Sequence, residues 1–165
     1  MTSLRGTFWR EFFRYQIAHR AKSTSIGEVR QNLDRLGQRV KPPKSVRFAR
    51  AWVEGLQADW LMPPAGPEDA RLLYLHGGGY ICGSFSSHRG LVGNLAEACC
   101  LRTLMPEYRL APENPFPAAL EDSLAVYRRL LADGIAPHRL VLGGESAGGG
   151  LTLATLLALR DRGLP

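Results

Sequence analysis

Cysteine is scarce in this chain of 165 residues, with only Cys82, Cys99 and Cys100. An odd count without paired metal-type spacing excludes a disulfide framework and a zinc site and predicts reduced thiols. Cys82 reads as a small packing residue rather than a redox or nucleophilic one. Long apolar runs are missing too. The longest uncharged stretch near the end, residues 146–159, is fourteen residues, short of the ~20 that span a bilayer, and predicts a buried helix. Near the start, residues 4–17 are interrupted by Arg5, Arg10, Glu11 and Arg14, so no secretory signal is apparent and a cytoplasmic location is the default expectation. Neither glycine cluster spells G-x-G-x-x-G, and Gly148 is followed by Gly149 and Gly150 rather than Lys-Ser or Lys-Thr. A dinucleotide fingerprint and a phosphate-cradling P-loop are thereby excluded, and no cofactor or metal is expected. Finally, no histidine follows His138.

What is present centres on Gly143-Gly144-Glu145-Ser146-Ala147-Gly148-Gly149-Gly150. The aliphatic run before it predicts a short buried strand over residues 139–142. Leu151, Leu153, Leu156, Leu157 and Leu159 predict a helix after it, stopped by Gly163 and Pro165. Between them, Gly144, Glu145, Ser146, Ala147 and Gly148 match G-x-S-x-G, in which a sharp strand-to-helix turn exposes the serine hydroxyl. Glycines two residues either side of Ser146 remove side chains that would collide with strand and helix. At the helix N-terminus, free backbone N–H groups favour developing negative charge.

A second cluster sharpens the reading. The apolar residues 71–75 run into His76-Gly77-Gly78-Gly79-Tyr80, an HGGG arrangement that supplies donors to an oxyanion in acyl transfer. Bare glycine backbone can approach such an oxygen closely. Gly78, Gly79 and Ala147 are assigned as oxyanion donors and Ser146 as nucleophile. His76, Gly77, Gly144, Glu145 and Gly148 support the two motifs. His76, which precedes the serine, is read as a structural histidine.

With these motifs on the page, the chain resembles the hormone-sensitive-lipase-like group of α/β-hydrolases, carboxylesterases with a helical cap. Tyr108-Arg109-Leu110-Ala111-Pro112-Glu113 and Pro115-Phe116-Pro117-Ala118-Ala119 resemble that family's segment between its fourth strand and the next helix. The likeness runs from about Ile26 onward. One small departure is Glu145, where the family usually carries aspartate. The resemblance implies a serine carboxylester hydrolase acting on short to medium acyl esters, with small-molecule ester substrates. It also implies a triad in the chain order Ser, Asp, His. Residues after Ser146 offer Asp161 but no histidine, so the chain looks like the N-terminal portion of such an enzyme, inactive in isolation.

The net charge of +6 is unevenly spread: residues 1–50 hold 12 Lys and Arg against 3 Asp and Glu, and the remainder 9 against 12. An amphipathic helix is predicted near the start, with Phe8, Trp9, Phe12, Phe13 and Ile17 on one arc and Arg10, Glu11 and Arg14 on the other. Three roles compete for it: an anionic membrane surface, nucleic acid, or the cap that the resemblance implies. The cap is the favoured reading, membrane contact the lesser one, and no nucleic-acid motif accompanies the charge. A second helix is predicted over residues 26–40, stopped by Pro42-Pro43. Residues 1–43 are therefore read as a helical cap segment and residues 44–165 as the N-terminal half of an α/β-hydrolase domain.

In that domain, strands over 45–53 and 57–62 precede strands at 72–75 and 101–107, with helices over 86–99 and 118–133. Alternation of strand and helix predicts an α/β fold with a mostly parallel sheet whose first strands pair antiparallel. The strand before Ser146 is expected at an exposed edge, with leucines 151, 153, 156, 157 and 159 partly uncovered and self-association through that edge as the consequence.

Overall fold

The computed structural model describes residues 25–165, together with Thr7 and Glu11. The helix predicted around Phe8, Trp9, Phe12, Phe13 and Ile17 lies outside the described residues. The first described helix, α1 (Ile26–Gly37), begins with a capping box: the Ser25 hydroxyl accepts from the Glu28 N–H while the Glu28 carboxylate accepts from the Ser25 N–H. It ends three residues before Val40, the predicted limit. The chain crosses helix α2 (Phe85–Cys99) here at backbone contact, and a Cβ on Gly37 or Gly90 would collide with the carbonyl of Ser87 or Val40. The final turn therefore tightens into bonds from Arg39 N–H to Leu36 O and from Val40 N–H to Gly37 O, and Pro42-Pro43 then end it.

The sheet comprises β1 (Arg47–Val53), β2 (Leu56–Met62), β3 (Arg71–Leu75), β4 (Arg102–Pro106) and β5 (Leu140–Gly144), in the spatial order β1-β2-β4-β3-β5. β1 and β2 form the predicted antiparallel hairpin, and β2 also runs antiparallel to β4. β3 lies parallel to both β4 and β5, as crossover helices require. Helices α3 (Ala118–Ala132) and α4 (Ala147–Asp161) follow β4 and β5.

Side chains alternate across β3 and build two apolar layers. Leu73 and Leu75, with Leu104, Val126 and Leu151, form the core beneath α3 and α4. Leu72 and Tyr74, with Leu61, Val92 and Met105, pack on the opposite face beneath α2. Ser123 Oγ and Thr155 Oγ1, 2.6 Å apart, tie α3 to α4. The structure departs from the predicted elements in two further places. The strand predicted over 139–142 starts at Leu140 and extends through Gly144, because Tyr74 and Leu75 pair with Gly143 and Gly144, while Pro137–Arg139 form a 3₁₀ turn. On α4, Leu151 and Leu159 are buried against the sheet, and only Leu153, Leu156 and Leu157 of the five face outward.

Candidate active site

The parallel register of β3 and β5 sets the site. Leu75 pairs with Gly144, so the loops that leave the two strands emerge side by side at their C-terminal ends. From β5 the chain turns through Glu145 and Ser146 into α4. Ser146 occupies the N-cap position at φ 53° and ψ −121°, a left-handed conformation rare for a side-chain-bearing residue, and is exposed. Such backbone costs about 1–3 kcal/mol and persists where surroundings over-determine it. Here they do: a Cβ on Gly144 would lie 2.5 Å from the Leu75 carbonyl oxygen, and one on Gly148 would lie 2.6 Å from that of His76. Only glycine lets the turn press this closely onto the end of β3.

The loop from β3 is equally constrained. Gly78, Gly79 and Tyr80 all have positive φ, at 127°, 64° and 64°. The Gly78 carbonyl accepts from the N–H of Ile81 at 3.1 Å, the N–H of Cys82 at 3.0 Å and the Cys82 thiol at 3.0 Å. Across a planar trans peptide, a carbonyl pinned into the loop turns the following N–H the opposite way. The N–H of Gly79 therefore points out of the loop, and among the described residues neither it nor that of Gly78 meets an acceptor. The N–H of Ala147 opens α4, where N–H groups have no intrahelical partner.

Glu145 joins the two loops, an arrangement the sequence did not reveal. Its Oε1 accepts from the Gly77 N–H and lies 2.8 Å from His88 Nε2, while Oε2 accepts from the Tyr74 hydroxyl at 2.5 Å. Burial disfavours its charge, yet bonds from His88, Tyr74 and Gly77 outweigh that and pull its pKa down to about 2. Tyr74, desolvated and bonded to that carboxylate, is held well above the usual phenol range. A tyrosine in an otherwise aliphatic strand was the available signal for this network.

His76 is fully buried, stacked between Tyr108 at 4.4 Å and His88 at 5.3 Å. Its Nδ1 lies 2.8 Å from the Gly77 carbonyl, its own carbonyl accepts from the Tyr108 hydroxyl at 2.6 Å, and Nε2 has no partner among the described residues. Burial lowers its pKa to about 4, so the ring is neutral near pH 7, donating from Nδ1 to the carbonyl. The motif around Tyr108 is held by Asp122, which accepts from the Arg109 N–H at 2.8 Å and from its guanidinium Nε at 2.9 Å. Beside α4 a cleft of about 290 Å³ is lined chiefly by apolar groups of Tyr80, Phe116, Leu120, Leu151 and Ala154. None of the three described histidines is placed as a base for Ser146. His76 is enclosed, His88 is engaged by Glu145, and His138 lies at the far end of β5. Among the described residues no group of three or more His, Cys, Asp or Glu side chains is placed to hold a metal ion, and no helix is long and apolar enough to cross a membrane.

A strand-turn-helix serine beside a glycine loop, on a sheet of this order, defines an α/β-hydrolase. A match to the alpha/beta hydrolase fold family covers residues 72–165, and the chain belongs to that family, within its hormone-sensitive-lipase-like group. It is 51% identical over 108 residues to an acetyl-hydrolase of Streptomyces hygroscopicus, covering 66% of this chain and 36% of that protein. It is 28% identical over 163 residues to an esterase of Acinetobacter venetianus, covering 95% and 54%. A crystal structure of an esterase from the bacterial hormone-sensitive lipase family superposes with a TM-score of 0.83 at 42% identity, over 90% of this chain and 51% of that one. The chain thus spans about half, or less, of the length of the relatives it matches.

Proposed function

We propose that this chain supplies the nucleophile and oxyanion hole of a serine carboxylester hydrolase for short to medium acyl esters. The observation that carries the reading is the strained, exposed Ser146 fixed beside a loop whose Gly78 and Gly79 amides meet no acceptor among the described residues. In the reaction, Ser146 Oγ forms a bond to the acyl carbon as its proton leaves to a base. Negative charge on the carbonyl oxygen is met by the N–H groups of Gly78, Gly79 and Ala147. The bond to the alcohol oxygen then breaks, the alcohol departs with a proton, and water releases the acid from the acyl-enzyme. Glu145 and His76 hold the two loops in register, and the apolar cleft beside α4 suits a short hydrocarbon chain.

A second reading, a non-catalytic binding chain, is favoured by the absence of a base for Ser146 among the described residues. Both readings predict slow turnover of p-nitrophenyl butyrate by the isolated chain, within a few-fold of Ser146→Ala. They part on chemistry at the serine. Incubation with a p-nitrophenyl alkylphosphonate followed by peptide mass mapping is expected to place the phosphonyl group on Ser146. Labelling spread over other residues, or unchanged in Ser146→Ala, would sink the esterase reading.

A further inference from the structure

We infer that Arg30 of α1 is a positioning residue for the oxyanion loop, an inference that rests on the assignment of Gly78 and Gly79 as oxyanion donors. Its guanidinium joins the loop after β3 to the loop after β4. Nε donates to the Ile81 carbonyl at 2.8 Å and one terminal nitrogen donates to the Ala111 carbonyl at 3.1 Å. The same fork pairs with Glu113 at 2.9 and 2.7 Å. One turn further along α1, Asp34 accepts from the Ser84 hydroxyl at 2.6 Å, so the same helix face grips the second half of the loop at two points. Between the two loops, the Ala111 N–H donates to the Tyr80 carbonyl at 2.8 Å.

The loop has reason to need this support. Three consecutive residues at positive φ have no regular hydrogen-bond ladder to hold them, and Tyr80 is a poor occupant of that region. The direction of the Gly79 N–H depends on the Gly78 carbonyl staying under Ile81 and Cys82. Fixing the Ile81 carbonyl from outside fixes the turn that presents those two amides. A planar fork reaching two carbonyls and a carboxylate is specific to arginine; a lysine ammonium is a single point charge. α1 is thereby connected to the groups that would stabilise the transition state.

The test is amide hydrogen exchange on the 165-residue chain, reading the N–H of Ile81, Cys82 and Ala111 against β4 amides as reference. Arg30→Ala is expected to speed exchange at the three loop amides about tenfold or more, as befits loss of charge-assisted bonds, with β4 unchanged. Arg30→Lys should resemble Arg30→Ala, because the fork is lost. Glu113→Gln should stay within about twofold of the parent, because that carboxylate is exposed and both backbone bonds survive. If Arg30→Ala does not fold, the order of Arg30→Lys and Glu113→Gln decides: Glu113→Gln opening the loop as much as Arg30→Lys would overturn the inference. So would wild-type exchange in Arg30→Ala.

A second readout separates positioning from bulk stability. Butylboronic acid forms a tetrahedral adduct as Ser146 Oγ bonds to boron and the serine proton goes to buffer, placing a boron-bound oxygen at the oxyanion donors. Its affinity, followed by ¹¹B resonance, should fall about tenfold in Arg30→Ala at unchanged urea midpoint, and equal affinity would overturn the inference. No adduct even in the parent chain would count against the esterase reading instead, and exchange would still judge Arg30.

Discussion

Buried His76 and half-buried Glu145, packed where β3 meets the elbow, make predictions at the scale of single residues. His76 has a pKa lowered to about 4 from 6.5 by burial, with His88, Glu145 and Asp34 as the titratable groups around it. A folded pKa below the unfolded one means that protonation favours the unfolded chain. The stability contributed by neutral His76 is therefore complete above pH 6.5 and is lost as pH falls toward 4, to the extent of about 3 kcal/mol. Glu145 acts lower: its contribution is present above 4.5 and lost as pH falls toward about 2. Urea midpoints should decline already between pH 6.5 and 4.5, and the His76 ring should remain neutral by NMR throughout that range; titration near 6.5 would refute the assignment. Gly148→Ala probes the elbow itself. The added methyl would meet two carbonyl oxygens, which cannot move as a side-chain tip can, so a loss of about 3 kcal/mol in urea unfolding is expected. A change under 1 kcal/mol would mean that the turn is less tightly held than its contacts imply.

Among the elements, α2 depends on the residue just before it. Ser84 caps it by accepting from the Ser87 N–H at 3.2 Å, while its hydroxyl donates to Asp34 of α1 at 2.6 Å. Replacing it with alanine removes an N-cap and a bond to a carboxylate together, so Ser84→Ala should cost about 2 kcal/mol in urea unfolding. Asp34→Asn, which keeps the cap, should cost less than half of that; equal losses would show the cap to be idle. The strands and helices were largely legible, because periodicity and Ser and Gly boundaries are local signals. The glycine motifs also foretold which backbone would crowd together. What could not be read was whatever depends on strand order. The pairing of β3 with β5 beneath α2 brings Tyr74, His88 and Glu145 together, and Arg30 meets Ile81 across 51 positions of sequence. No periodicity within one segment encodes such meetings. The end of α1 was misjudged for the same reason: Gly37 stops it through contact with Ser87, not through a local breaker.

For the whole molecule the open question is the free flank of the sheet. Among the described residues, β5 is bonded to β3 on one side and ends the sheet order on the other, leaving a row of N–H and C=O groups beside Val141, which is 50% exposed. Above it, Leu153, Leu156 and Leu157 of α4 are 65%, 45% and 51% exposed. Covering these four half-exposed side chains would gain about 1 kcal/mol each, and a symmetric pairing of two copies doubles the sum to about 8 kcal/mol. Association costs about 4–15 kcal/mol, so the gain from these side chains is largely offset and the strand-to-strand hydrogen bonds must supply the surplus. We therefore predict weak, concentration-dependent self-association through β5 and α4, in the micromolar range or above. Sedimentation velocity over a concentration series would show it as a rising weight-average coefficient. Val141→Lys, which sets a charge on the edge strand, and Leu157→Glu, which interrupts the leucine patch, should each return the chain to a monomer while leaving the buried Leu151 and Leu159 contacts intact. Amide exchange supplies the opposing outcome: a monomer at every concentration, with the N–H groups of residues 140–142 strongly protected, would show that the flank is closed within a single chain.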